Sequence, residues 1–126
     1  MDETRAEATQ PTETELGPRE VAKLVESDQT ILIDVRQDYE WDAGRIAGAR
    51  HIEVNELTAA ADSIPRDETV VFYCRSGSRS GMAAHAFREA GWRTHNLAGG
   101  VIAWVEEGLE LEPEGATVAA TRPPTA

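Results

Sequence analysis

The chain has 126 residues, 40% of them hydrophobic, enough to bury one ordinary core and too few for two independent domains. Its 23 acidic residues against 12 basic ones give a formal net charge of -11, which speaks against a protein whose main work is gripping nucleic acid or an anionic membrane. No stretch offers the roughly 20 apolar residues of a membrane span, the first residues lack the pattern of a secretory signal, and a single cysteine rules out an intrachain disulfide, so a soluble protein in the reducing cytoplasm is expected.

Residues 1–14 are polar, acidic and without periodicity, and are expected to form a flexible tail. After Gly17-Pro18, Val21, Ala22, Leu24 and Val25 cluster on one helical face and predict the first helix. Thr30 to Val35 is a β-branched run without polar alternation, as in a strand covered on both faces. A polar stretch with Gly44 and Gly48 follows, then a short strand over Ala49 to Val54 and a helix capped by Asn55 that repeats Leu57, Ala60, Ala61 and Ile64. Pro65 ends it. Thr69 to Tyr73 is the most hydrophobic strand, and the chain passes through Cys74-Arg75-Ser76-Gly77-Ser78-Arg79-Ser80 into a helix carrying Met82, Ala83, Ala86, Phe87 and Ala90. Gly91 stops that helix. Arg93 to Leu97 is the last strand, Gly99-Gly100 a turn, and Val101, Trp104 and Val105 the buried side of a final helix. The Pro-, Ala- and Thr-rich end, 113–126, reads as a second flexible tail around one domain at 15–112.

Strands alternating with helices pair in parallel through right-handed crossovers, which predicts an open α/β fold with helices on both faces of the sheet. Ligands in such folds sit beyond the carboxyl ends of the strands, where Cys74 lies. Gly77 permits a turn that points backbone N–H groups inward, the following helix adds its positive end, and Arg75 and Arg79 add two permanent charges. Such surroundings favour a thiolate over a thiol and can orient an anionic substrate, with Ser76, Ser78 and Ser80 adding hydroxyls. An inert buried cysteine would need none of these neighbours.

Three blocks carry a resemblance to a known family: LIDVRQDYEWDAGRIAGARHI at 32–52, YCRSGSRS at 73–80 and GWRTHNLAGGVIAW at 91–104. In this order and spacing they resemble the single-domain rhodaneses, over roughly Leu16 to Leu111. The resemblance implies a five-stranded parallel sheet and an active loop running from Cys74 to Arg79, with Cys74 catalytic and Arg75, Ser76, Gly77, Ser78 and Arg79 binding substrate. It also implies a cycle in which Cys74 takes sulfur from a small anionic donor such as thiosulfate, becomes a persulfide, and passes the sulfur to cyanide or a thiol, including a thioredoxin-like or other protein thiol. No metal or organic cofactor is implied. The chain departs from the family pattern at Arg45 and Ala47, where His and Pro are usual, and at Trp41, where Phe or Tyr is more common.

Asp34 and Arg36, at the end of their strand, read as a structural ion pair supporting neighbouring loops, with Glu40 in the same network. Trp104 and Trp41 read as core or pocket-wall aromatics. His51, His85 and His95 have no metal-ligand spacing and no partner cysteines, though His51 or His95 could form a dyad with Cys74 if folded beside it. Gly99-Gly100 lacks the context of a phosphate loop. The enzymatic rival, a cysteine phosphatase or arsenate reductase, places five residues between Cys and Arg, whereas four intervene here. A rival of another class is a sulfur-carrier or regulatory module working through a partner protein. A monomer is the default for a small domain.

Overall fold

The computed structural model describes residues 13–27 and 29–120. Apart from Glu13 and Thr14, the tail expected over 1–14 lies outside them, as do residues 121–126. The elements are β1 (Glu15–Leu16), α1 (Pro18–Leu24), β2 (Thr30–Asp34), α2 (Asp38–Ala43), β3 (Arg50–His51), α3 (Leu57–Ala60), β4 (Thr69–Tyr73), α4 (Ser78–Glu89), β5 (Arg93–Leu97) and α5 (Gly100–Glu106). All strand pairs are parallel, in the order β1-β5-β4-β2-β3.

The period of two is hidden in β4 because both sides of the sheet are covered. Val70, Phe72 and then Cys74 join Ile33, Val35, Leu57, Ala83, Ala84 and Trp92 in one core. Val71 and Tyr73 face the opposite core, with Leu16, Val21, Leu32, Leu97, Val101 and Trp104. Helices α3 and α4 cover the first side, α1 and α5 the second.

Several local expectations change. The polar stretch after β2 contains a helix, α2, whose Gln37 N–H donates to the side chain of Glu40 at its start (3.0 Å). Asn55 is not a helix cap: it lies inside a 3-10 turn, Val54–Glu56, and the element after it is a short α-helix between two such turns. Met82 points away from the core and is 75% exposed, and Val105 is exposed as well.

Composition predicts a flexible tail from 113, yet through Ala120 the chain lies along the domain. Arg45 and Glu112 exchange two backbone hydrogen bonds (2.9 and 2.7 Å), Thr117 N–H donates to Ala43 O (2.9 Å), and Val118 packs against the second core. Extended backbone held by its own amides needs no side-chain periodicity, which is why the segment left no pattern to read.

Candidate active site

Cys74 continues the alternation of β4, so its side chain enters the core under α4 rather than projecting into solvent. The residue has no exposed surface. The next turn brings donors to it: Gly77, at φ +102, starts α4 and its N–H donates to Cys74 Sγ (3.1 Å), and the Ser80 N–H does so at 3.4 Å. A β-carbon resists the backbone angle that lets Gly77 present its amide in this way. Ser80 Oγ stands 3.3 Å from the same sulfur. The amides of Ser76, Ser78 and Arg79 donate to no acceptor among the described residues, so the loop and the first turn of α4 retain N–H groups for an anion.

The base of the loop is pinned by α5. Val101 N–H donates to Cys74 O (2.9 Å) and Ile102 N–H to Arg75 O (3.1 Å). Gly100 makes this approach possible, since a β-carbon there would lie 2.3 Å from Arg75 O and 2.6 Å from Cys74 O. The Gly99-Gly100 doublet is therefore more than a turn: it is where two backbones touch.

Neither arginine of the loop is free. Arg79 donates from Nη1 and Nη2 to the two carboxylate oxygens of Glu40 (3.0 and 3.1 Å). That carboxylate is fully buried while Arg79 keeps 29% of its side chain exposed. The pairing holds the Arg79 guanidinium even further above neutral pH than usual. Arg75 donates from Nε to Ala119 O (2.9 Å), and Tyr39, beside it, donates its hydroxyl to Ala120 O (2.8 Å). The C-terminal segment thus reaches the loop itself. Ser76 and Ser78 are exposed.

Asp34 and Arg36 form a buried pair in which Arg36 Nε donates to both carboxylate oxygens (3.0 and 3.1 Å) and Nη2 to Oδ2 (2.7 Å). A further bond from Nη2 reaches Gly44 O (2.6 Å), tying β2 to the end of α2. Glu40, expected in this network, instead bonds Arg79; it was legible as a partner but not as the partner of the loop. Tyr73 lies under the Arg36 guanidinium, and burial pushes its phenol well above the ordinary range. Neutral Tyr73 accepts the Ile46 N–H (3.0 Å).

The histidines are engaged away from the sulfur. His51 Nε2 donates to Arg36 O (2.7 Å), His95 Nδ1 meets Glu13 O (2.5 Å), and His85 pairs with Glu89 (3.2 Å) on the exposed side of α4. Trp41 is a wall residue: it stacks on His51 (4.7 Å between centroids) and carries the Arg45 guanidinium 5.0 Å above its ring. Trp41 and Arg45, two of the residues that depart from the family pattern, are thus in contact with each other. Asp38, His51 and Glu53 bring ligand-type atoms within 4.8 Å of one another. Beside the loop, Val35, Gln37, Glu53, Val54, Asn55 and Arg79 line a cleft of about 290 Å³.

Residues 17–107 match the family model described as the rhodanese-like domain. The chain belongs to the rhodanese-like family. The domain is 37% identical over 95 residues to a sulfurtransferase of Allochromatium vinosum, covering 74% of this chain and 89% of that one. It is also similar to the human single-domain sulfurtransferase TSTD1, at 31% identity and a TM-score of 0.68, covering 75% of this chain and 97% of the other. A third relative, the probable adenylyltransferase/sulfurtransferase MoeZ of Mycobacterium tuberculosis, is 36% identical over 96 residues, which cover 73% of this chain but 24% of that longer protein. The parallel five-stranded sheet is the family's fold, and several of its relatives are named sulfurtransferases. No helix among the described residues is long and apolar enough to cross a membrane.

Proposed function

We propose that this rhodanese-like domain transfers a sulfane sulfur through Cys74, taking it from thiosulfate or a similar small anion and giving it to cyanide or a thiol. The observation that carries the reading is the convergence on Cys74 Sγ of the Gly77 and Ser80 amides at the positive end of the 12-residue helix α4. Cys74 thiolate attacks the outer sulfur of thiosulfate, the S–S bond of the donor breaks, and sulfite leaves with the bonding pair. The product is a Cys74 persulfide whose charge rests on its outer sulfur. The unpartnered amides of Ser76, Ser78 and Arg79 are the groups available to hold that charge, and attack by cyanide on the outer sulfur releases thiocyanate and restores the thiolate.

Arg75 and Arg79 support the reading as sources of positive potential rather than as free clamps, because each has a protein acceptor already. Cys74 has no exposed surface, so donor and sulfur meet only as the loop or a neighbouring side chain gives way. With a single cysteine the persulfide is resolved from outside the chain, by a small thiol or a protein thiol of the thioredoxin type. The similarity to part of a longer adenylyltransferase/sulfurtransferase favours a second reading, a sulfur carrier serving one partner protein. Thiocyanate formation from thiosulfate and cyanide, abolished in Cys74→Ser, is the expected outcome. Faster release of phosphate from an aryl phosphate would contradict it, and rapid transfer only to a partner protein would favour the carrier.

A further inference from the structure

The hydrogen bonds behind the loop fix the direction of one proton. Asn96, at the carboxyl end of β5, is buried, and one side of its amide faces acceptors alone: the Glu15 carboxylate oxygens (2.9 and 3.1 Å) and Gly77 O (3.0 Å). Only the NH₂ group can donate to both, one hydrogen to Gly77 O and the other shared by the two oxygens of the Glu15 carboxylate, so Nδ2 occupies that side and Oδ1 faces Ser80. Gly81 of α4 leaves room for this amide, since a β-carbon there would stand 3.2 Å from Nδ2. Ser80 Oγ lies 2.5 Å from Asn96 Oδ1 and 3.3 Å from Cys74 Sγ. A hydroxyl has one proton, and the shorter contact is to an oxygen with no hydrogen of its own.

We propose that Asn96, oriented by Glu15 and the Gly77 carbonyl, commits the Ser80 proton to itself, so that Ser80 turns a lone pair, not a donor, toward Cys74 Sγ. Asn96 and Glu15 are then positioning residues for the sulfur. The thiol form of Cys74 donates its S–H to Ser80 Oγ. The thiolate has the two backbone amides as donors but faces a lone pair at Ser80, unless the hydroxyl turns and leaves Asn96 Oδ1 buried without a donor. Once sulfur is taken up, Sγ becomes the neutral inner atom of the persulfide and the charge moves away from Ser80. Against the two amides that support the thiolate, the Ser80–Asn96 pair disfavours it relative to both the thiol and the loaded persulfide, and so shifts the balance toward the form that carries sulfur.

This inference rests on Cys74 as the reactive thiol but not on any donor, and its test does not need sulfur transfer. Alkylation of Cys74 by iodoacetamide, followed against pH in the full chain, reports the thiolate directly. Ser80→Ala removes the acceptor of the thiol proton and is expected to lower the pH midpoint by on the order of half a unit, about threefold in thiolate. Asn96→Leu frees the hydroxyl to donate and lowers the midpoint likewise, and adding Ser80→Ala cancels that donor's contribution. Glu15→Ala, on an exposed residue, gives a smaller fall in the same direction, which Glu15→Gln restores to the wild-type midpoint. A midpoint that rises or stays unchanged in Ser80→Ala overturns the proposal, because the hydroxyl would then be a donor to the thiolate or indifferent to it. That variant decides the matter by itself if Asn96→Leu does not fold.

Discussion

Arg79 meets Glu40 fork to fork, at 3.0 and 3.1 Å, and the carboxylate it meets is fully buried. The loop's second arginine is therefore part of the frame as well as part of the site: it links the start of α4 to α2, and its charge is half spent on Glu40 before any anion arrives. Arg79→Ala leaves a buried carboxylate with the Gln37 N–H as its remaining donor. A loss of about 2–3 kcal/mol is expected, below the usual range for a broken buried pair because Arg79 is partly exposed. Adding Glu40→Gln should recover much of it in urea unfolding, since no buried charge remains, while sulfur transfer stays impaired in both variants. Equal stability of Arg79→Ala and wild type would contradict the pairing's structural role.

Gly100→Ala tests the contact between α5 and the base of the loop. A β-carbon would sit 2.3 Å from Arg75 O, on a backbone at φ +63 that already costs an alanine about 1 kcal/mol. Relief requires α5 to withdraw from Cys74 and Arg75, so both the thermal transition and the alkylation rate of Cys74 should change. Gly108→Ala, also at positive φ but with open space around it, is the control and should cost only the backbone term.

Ending the chain at Glu112 removes the acceptor of Arg75 Nε and of the Tyr39 hydroxyl. The freed Arg75 should lower KM for thiosulfate by about threefold, the ~0.6 kcal/mol of one partly buried hydrogen bond. The thermal midpoint should fall slightly with the loss of Val118 from the second core. Steady-state kinetics of the shortened and full chains decide this, and an unchanged or higher KM would show that the segment does not compete for Arg75.

Burial holds the His95 imidazole below its ordinary range, against the opposing contribution of its hydrogen bond to Glu13 O. The folded protein therefore binds fewer protons than the unfolded chain just below pH ~6.5, the usual histidine value. This contribution to stability is present above that pH and is lost as pH falls toward the folded-state value. His95→Gln should flatten the slope of unfolding free energy below about pH 6.5 relative to wild type. An unaltered slope would assign the pH dependence to other groups.

The alternation of apolar runs and helical patterns made the layered α/β fold legible, because each covered strand and most helices obey local rules. What stayed hidden lacked a local pattern. β1 is two residues long and exists only by pairing with β5 through Glu15 and Leu16. Helix α2 carries Glu40 inward for the sake of Arg79, thirty-nine positions away, so its polar residues resemble those of a loop. Cys74, its flanking arginines and Gly77 were visible as a loop composition, whereas Asn96 and Ala119 reach the site through tertiary contacts with no sequence signature. The Asp34–Arg36 pair could be read from adjacency, and the direction of Glu40 could not.

The central claim, that Cys74 is where sulfur is carried, is tested most directly by intact-mass measurement after incubation with thiosulfate and removal of the excess. Wild-type protein should gain the mass of one sulfur atom, lose it on addition of cyanide or dithiothreitol, and show no gain in Cys74→Ser. No added sulfur in the wild type, or an equal gain in Cys74→Ser, would contradict the account.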